Sequence, residues 1–515
     1  MRLTLSLFSL AWILTGCSLP SQEGRQYSES LTALATQDSR LGQSITQIRA
    51  QHPADQSGIY ALHDPHEAFA ARALLARKAD HSLDVQYYIW RDDKTGNMLL
   101  RELLQAADRG VRVRLLLDDG GTTGLDKSLA AMSMHPNIHV RLFNPFVMRT
   151  GKYLGYVTHF SRTNRRMHNK SFTADSQATI IGGRNVGNEY FGATDGVLFA
   201  DLDVLTIGPA VDDLSKDFDR YWNSASAYPV QRIVGASSEA ALTQLRQQLE
   251  TLAASPASQD FVQALHSTPF IEHLTEGKLP MEWAKVQLVS DDPAKVLSKA
   301  QPEGLMLPQL MALMGSPQHS LDLVSPYFVP TKKGTADFAQ LQQQGVRVRV
   351  LTNSLEATDV ALVHSGYAKY RKPLLQAGIQ LFEMRSTNPE KVGLNDQLKL
   401  GSYGSSGSSL HAKTFAIDDK KAFVGSFNFD PRSAELNTEL GFLIDSPAMA
   451  QQIANSFDTQ VPLRSFSVQL NEDGDLRWHS QNADEPKVYD VEPYSSWWVR
   501  VMLKVMGWLP IEGLL

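Results

Sequence analysis

The feature that most constrains this chain is a strand–helix–strand unit written twice. The run Ser82-Leu83-Asp84-Val85-Gln86-Tyr87-Tyr88-Ile89-Trp90 is rich in residues that pack well on a pleated surface, and it predicts a strand. Met98 to Arg109 reads as a helix, and Gly110-Val111-Arg112-Val113-Arg114-Leu115-Leu116-Leu117-Asp118 predicts a second strand. Strand, helix, glycine and strand make a βαβ unit with a parallel sheet. Ser320-Leu321-Asp322-Leu323, a helix-like stretch from Phe338 to Gln344, and Gly345-Val346-Arg347-Val348-Arg349-Val350-Leu351 repeat it. The offset is 238 residues at the first strand (82 to 320) and 235 at the second (110 to 345). A period of that size excludes a solenoid and implies a duplicated α/β domain.

Each copy also carries a second repeated string. The first half has His168-Asn169-Lys170-Ser171-Phe172-Thr173-Ala174-Asp175, then six residues, then Gly182-Gly183-Arg184-Asn185. The second has His411-Ala412-Lys413-Thr414-Phe415-Ala416-Ile417-Asp418, then six residues, then Gly425-Ser426-Phe427-Asn428. Residues two apart on a strand share a face, so His168 and Lys170 are expected to point together, as are His411 and Lys413. The glycine step lets backbone approach a ligand closely, and the following Asn185 or Asn428 offers an amide donor. Asp175 and Asp418, at the strand ends, complete the half-motifs. They are better placed to hold a hairpin turn than to touch substrate.

Phosphodiester displacement needs a neutral imidazole to attack and a protonated one to serve the leaving oxygen. Two half-sites supply both, with two lysines and two asparagines for the charge on the phosphoryl oxygens. Registered on Pro209 and Pro447, Asp201 stands opposite Glu439. A carboxylate on the far ring nitrogen would fix each imidazole's tautomer. No cofactor or metal is expected, because the residues show no ligand cluster and a single cysteine excludes thiolate zinc sites and a disulfide framework. The basic trio Arg162, Arg165 and Arg166 reads either as a headgroup contact or as a solvated face.

The expected division is a leader over 1–17, a Ser-, Gln- and Thr-rich tether or loose helix over 18–55 and domains over 56–231 and 291–460. A linker or helical insert lies between them at 232–290, and a tail covers 461–515. A net charge of −6, 20 % charged residues and no long basic block argue against a nucleic-acid partner. Arg2, the apolar run Leu3 to Leu14, and Leu14-Thr15-Gly16-Cys17 have the length of a secretory signal. The ending resembles a bacterial lipobox with Cys17 as the lipidated residue; the alternative is an uncleaved leader with an incidental cysteine. Processed, it would give a two-chain anchor in the cell envelope, and Ser18 is permissive for the outer membrane. In the tail, Trp497, Trp498, Val501, Val505, Trp508 and Leu509 fall near one helical face with Arg500 and Lys504 beside them. That pattern fits a docked terminal helix or an interfacial one.

The motif strings, with Leu83 to Trp90, Arg166 to Phe172, Gly425-Ser426-Phe427-Asn428-Phe429-Asp430-Pro431-Arg432-Ser433 and Leu509-Pro510-Ile511-Glu512, resemble the phospholipase D superfamily. Within it they are most similar to the bacterial cardiolipin synthase C group, from about residue 55 to the C-terminus. The resemblance implies duplicated domains of mixed sheets flanked by helices, packed as a bilobed monomer with the site at the lobe interface. It implies a ping-pong transfer through a phosphatidyl-histidine to phosphatidylglycerol, with phosphatidylethanolamine as the expected donor. Superfamily precedent makes His168 the nucleophile and His411 the general acid and later base; the near-symmetry of the strings leaves that choice open. A phospholipase D hydrolase shares all these residues. A superfamily nuclease and an inactive lipid-anchored scaffold are the remaining alternatives.

Overall fold

The computed structural model describes residues 19–515 apart from 150, 153–154, 156–158, 194–199, 267–272, 274–277, 387–409, 482–485 and 511. The lipobox reading of Cys17 lies outside the described residues. The repeated unit folds as the same sheet twice. In the first half, Ser82–Ile89 pairs in parallel with Arg112–Gly121, which pairs in parallel with Ile138–Phe143. On its other side Ser82–Ile89 pairs antiparallel with Ser171–Ala174, followed by Ala178–Gly182 and Asp203–Ile207. The second half repeats the order: Gln380–Met384, Arg347–Asn353, Ser320–Val324, Thr414–Ile417, Lys421–Gly425 and Leu440–Ile444.

The register repeats as well. Asp84 stands opposite Arg114, and Asp322 opposite Arg349. All four are buried and each pair closes as an ion pair, Arg114 Nε to Asp84 Oδ1 at 2.7 Å and Arg349 Nε to Asp322 Oδ1 at 2.5 Å. A one-residue slip would leave a buried charge unpaired, so the pairs oppose slippage.

One face of each sheet is covered by its own helices. Leu83, Val85, Phe172 and Ile180 pack with Phe69 of helix Pro65–Lys78 and Leu99 and Leu103 of helix Lys94–Asp108. Leu321, Leu323, Phe415 and Phe423 do the same with Phe338 and Leu374. The opposite faces meet each other, with Ile181, Leu202 and Val204 packed on Val324, Ala416, Val424 and Phe442 in one shared core. Being buried on both sides, these strands read as apolar runs rather than alternating ones.

The connecting segment belongs to both lobes. Helix Glu239–Ala253 buries Leu242, Leu245 and Leu249 in the first lobe's core. Glu282–Ala284 then pairs with Ser57–Leu62 at the edge of the first sheet, and Val286–Ser290 pairs with Leu440–Ile444 at the edge of the second. Only Lys285 separates the two strands. Strand Val286–Ser290 falls inside the expected linker; it is short and half-exposed, so its composition does not announce it.

The polar stretch after residue 18 is not loose. Ser39 caps helix Arg40–Arg49, and Ser30 Oγ lies 3.0 Å from Asp84 Oδ2 and its N–H 2.8 Å from Asp219 Oδ2. Its hydroxyls and amides serve buried charges of the first lobe, which explains a polar composition without solvation. The tail contributes strands Ser465–Leu470, Leu476–Ser480 and Lys487–Tyr489 to the second sheet, then helix Trp497–Gly507. Among the described residues no helix is long and apolar enough to cross a membrane.

Candidate active site

The two histidines sit just ahead of their strands, not on them. The strands begin at Ser171 and Thr414, and each lead-in leaves its own sheet to pair with the other lobe. Met167 bridges Thr438, and the His168 N–H donates to Thr438 O at 2.8 Å. In return Leu410 bridges Ala200, and the His411 N–H donates to Ala200 O at 2.9 Å. The residue after each acceptor is the carboxylate that the repeat register singled out. Each imidazole therefore meets the carboxylate of the opposite lobe: His168 Nδ1 lies 2.8 Å from Glu439 Oε2, and His411 Nδ1 lies 2.7 Å from Asp201 Oδ2.

These contacts settle the tautomers. Ser426 O, which can only accept, also lies 3.1 Å from His168 Nδ1, so that nitrogen carries the proton whatever the state of Glu439. Asp201 accepts from His411 Nδ1 in the same way. In both rings the lone pair is left on Nε2. Tyr88 stands edge-on to His168 at 5.0 Å between centroids, and Tyr190 edge-on to His411 at 5.2 Å.

Burial and neighbouring charge keep the imidazoles neutral. His168 lies well below its ordinary value through burial, then through Lys170 and Lys413. His411 is pushed down to about 3 by burial and by Lys413, against the pull of Asp201. Burial also brings Lys170 down to about 7 and Lys413 to about 8, each partly restored by the site's carboxylates. The two carboxylates differ. Burial lifts Glu439 to about 7, whereas at Asp201 the burial effect is outweighed by His411, Lys413 and Arg184, which hold it well below the usual carboxylate range.

His168, His411, Asn185 and Asn428 line one cavity of about 380 Å³ between the lobes. Lys170 and Lys413 are buried behind it, each ammonium donating to its own motif histidine's carbonyl at 2.5 Å. Asn185 accepts from the Ile89 N–H at 3.2 Å and donates to the Tyr190 hydroxyl at 3.1 Å. Asn428 Oδ1 has no hydrogen-bond partner among the described residues.

Asp175 and Asp418 stand away from this cavity. Asp175 accepts the backbone N–H groups of Asp80, His81 and Ser82 at 2.8–2.9 Å, and Asp418 those of Gln318, His319 and Ser320 at 2.7–3.0 Å. Both sit at positive φ, 52° and 53°, where aspartate is tolerated, and each ties a hairpin to the start of the neighbouring strand. Gly183 has a use other than ligand approach. A Cβ there would stand 2.1 Å from Asp201 Oδ1, so the missing side chain admits the carboxylate that braces His411. At the equivalent position Ser426 donates its hydroxyl to Glu439 Oε2 at 2.5 Å.

Two neutral imidazoles lining one cavity, each braced by a carboxylate and each with a buried ammonium nearby, are equipped for displacement at phosphorus. A family model for the cardiolipin synthase phospholipase D-like domain matches residues 74–222 and 310–461. The chain is 47 % identical over 479 residues to cardiolipin synthase C of Escherichia coli K12, covering 92 % of this chain and all of that one. The chain belongs to the cardiolipin synthase family. It is thereby a phosphatidyltransferase of the phospholipase D superfamily. An uncharacterized Helicobacter pylori protein (strain 26695) is 33 % identical over 410 residues, 78 % of each chain. The crystal structure of Haemophilus influenzae phosphatidylserine synthase shares the fold, with a TM-score of 0.56 at 15 % identity over 91 % of this chain and all of that one.

Around the family's paired motifs the structure adds residues that motif spacing did not single out. The Ser433 hydroxyl donates to Glu439 Oε1 at 2.8 Å. Buried Asp118 accepts the Met167 N–H at 2.8 Å and pairs with Arg166 at 3.0 Å, which sets the lead-in to His168. Arg166 is thus neither a headgroup contact nor a solvated side chain, because its charge is used inside the lobe. Arg162 and Arg165 likewise donate to the carbonyls of Pro145, Lys295 and Glu435. On the cavity wall, Tyr327 donates to Asp359 Oδ1 at 2.6 Å. Asp118 ends a predicted strand and Ser433 closes the second motif. Only the fold shows what they touch.

Proposed function

We propose that the chain makes cardiolipin by moving a phosphatidyl group, from phosphatidylethanolamine, onto phosphatidylglycerol. The observation that carries this reading is the crossed bracing of His168 and His411, which leaves two Nε2 lone pairs at one cavity in a chain of the cardiolipin synthase family. His168 Nε2 attacks phosphorus, a P–N bond forms and the bond to the headgroup oxygen breaks. Before this, the arriving phosphodiester anion lets His411 Nε2 take up a proton from solvent, and the departing oxygen takes that proton. A phosphatidylglycerol hydroxyl then returns a proton to His411, its oxygen bonds phosphorus, and the P–N bond breaks.

The carboxylates support this division of roles. Ionised Asp201 behind His411 favours the ring that must become imidazolium once the phosphodiester arrives, while Glu439, held near neutrality, leaves His168 the better neutral nucleophile. Asn185 and Asn428 on the cavity wall face the growing phosphoryl charge, and the buried ammoniums of Lys170 and Lys413 offset it from behind the wall. Lipidated Cys17 would hold the body at the cell envelope, on its periplasmic side. Ser21 is already docked, its carbonyl accepting from Arg232 at 2.6 Å, so the four-residue leash spans at most about 14 Å.

Lipid analysis of a cardiolipin-deficient bacterium expressing the chain tests the reading. Cardiolipin is expected with the wild type and not with His411→Ala. In vesicles of phosphatidylethanolamine and phosphatidylglycerol, phosphatidic acid without cardiolipin would instead assign a hydrolase. Trapping the phosphatidyl group on His411 would reverse the two histidines.

A further inference from the structure

Helix Trp497–Gly507 is amphipathic in the wrong sense for a helix that serves only its own core. Its inward residues are Val499 and Leu503, packed on Leu355 and Ala361. Outward it presents Trp497, Trp498, Met502 and Val505, continued by Trp508 and Leu509, with Trp498 67 % and Trp508 82 % exposed. Val488 and Val491, just before the helix, are also exposed. Monomeric proteins rarely leave so many large apolar side chains together in water. Indole is the side chain that suits a boundary between hydrocarbon and water, and exposed Lys504 beside it adds a cation that anionic headgroups attract.

Position argues for the same occupant. Helix Ala361–Ala368 separates this face from the catalytic cavity: Ala361 packs on the tail helix, while Leu362 and Val363 line the cavity. After the tail helix the chain turns back, and Leu514 and Leu515 line the same cavity. Leu515 O accepts the Arg432 N–H at 2.7 Å, and the Arg432 guanidinium reaches across to Asn164 Oδ1 of the first lobe at 2.7 Å. The exposed face and the cavity wall are thus two sides of one small packed unit.

We propose that the face made by Trp497, Trp498, Val505, Trp508 and Leu509 rests in the headgroup region of an anionic phospholipid bilayer and holds the mouth of the His168–His411 cavity at the lipid surface. This rests on the reading of that cavity as a site for lipid transfer. The surface acts independently of the Cys17 anchor: the anchor keeps the protein at the membrane, and the tail helix turns the cavity toward it.

The test uses the full-length chain reconstituted in vesicles of phosphatidylglycerol and phosphatidylethanolamine whose acyl chains carry bromine, a quencher of indole fluorescence. Wild-type emission is expected to be quenched, and Trp497→Phe/Trp498→Phe/Trp508→Phe is expected to lose most of that quenching while still binding. Quenching that persists in the triple variant, or is absent in the wild type, overturns the proposal. A second variant, Trp498→Glu/Val505→Glu/Trp508→Glu, is expected to lose at least about tenfold in turnover of vesicle lipid, following the interfacial cost of charge. Its turnover of a water-soluble short-chain lipid and its melting temperature should stay near wild type. Equal activity on vesicles would refute the proposal. So would a dimer that this variant dissolves, which would assign the face to a second copy. Failure of the wild type to transfer phosphatidyl groups, with quenching intact, would instead refute the functional reading and leave the docking face standing.

Discussion

Replacing Asp201 by asparagine is expected to cost far more than replacing Glu439 by glutamine, although each removes one carboxylate from one imidazole. Asp201 holds His411 Nδ1 through Oδ2 at 2.7 Å, while its Oδ1 accepts the Leu202 N–H at 2.8 Å. A backbone N–H only donates, so in Asp201→Asn the amide oxygen stays on Leu202 and the NH2 group turns to His411. That forces the imidazole proton onto Nε2 and removes the lone pair from the cavity. The corresponding swap in a serine-protease triad lowers kcat by about 10⁴, or about 5 kcal/mol at about 1.36 kcal/mol per tenfold. Glu439 differs in what its second oxygen meets. Oε1 accepts from the Ser433 hydroxyl at 2.8 Å, and a hydroxyl accepts as readily as it donates. Glu439→Gln can therefore give its NH2 to Ser433 and keep its oxygen on His168. The tautomer survives, and the lost charge is one that burial already holds near neutrality. A loss of about 10–100-fold is expected, the usual range for an outer partner of a functional histidine. The assay is single-turnover transfer of radiolabelled phosphatidyl groups into cardiolipin on mixed vesicles near pH 7, with melting curves to exclude unfolding. Equal losses in the two variants, or less than about 100-fold for Asp201→Asn, would refute the tautomer argument.

An ammonium exists only below its pKa, so raising the pH through about 7 for Lys170 and about 8 for Lys413 strips positive charge from the free site. The ratio kcat/KM should fall on the alkaline side across that window, and a flat profile from about pH 6 to 9 would contradict it. Asp175→Asn keeps one oxygen for His81 and Ser82 but turns an NH2 toward the Asp80 N–H. It should lower unfolding stability by about 1–3 kcal/mol in denaturant titrations, with kcat within about twofold of wild type. Gly183→Ala places a methyl 2.1 Å from Asp201 Oδ1 and must displace the carboxylate from His411. Its kcat should drop at least about tenfold while Gly345→Ala, far from the site in an open turn, leaves kcat unchanged.

What the chain's letters carried on their own was everything local or repeated. The spacing of His168, Lys170 and Asp175 recurs at His411, Lys413 and Asp418, and duplication doubles the signal, so motif, fold class and family were legible. Register between the copies even paired Asp201 with Glu439. Three things needed the folded chain. Which carboxylate braces which histidine depends on the lead-ins crossing between lobes, through Met167 with Thr438 and Leu410 with Ala200. Those pairings join residues more than 200 positions apart, and no local pattern encodes them. That the lysines lie behind the cavity, and that Arg166 spends its charge on Asp118, depends on burial, which a charged letter hides. The inequality of Asp201 and Glu439 depends on the whole surrounding field of charges and hydroxyls. Electrostatics in a buried site sums over distance in space, and distance in space is set only when the two lobes close.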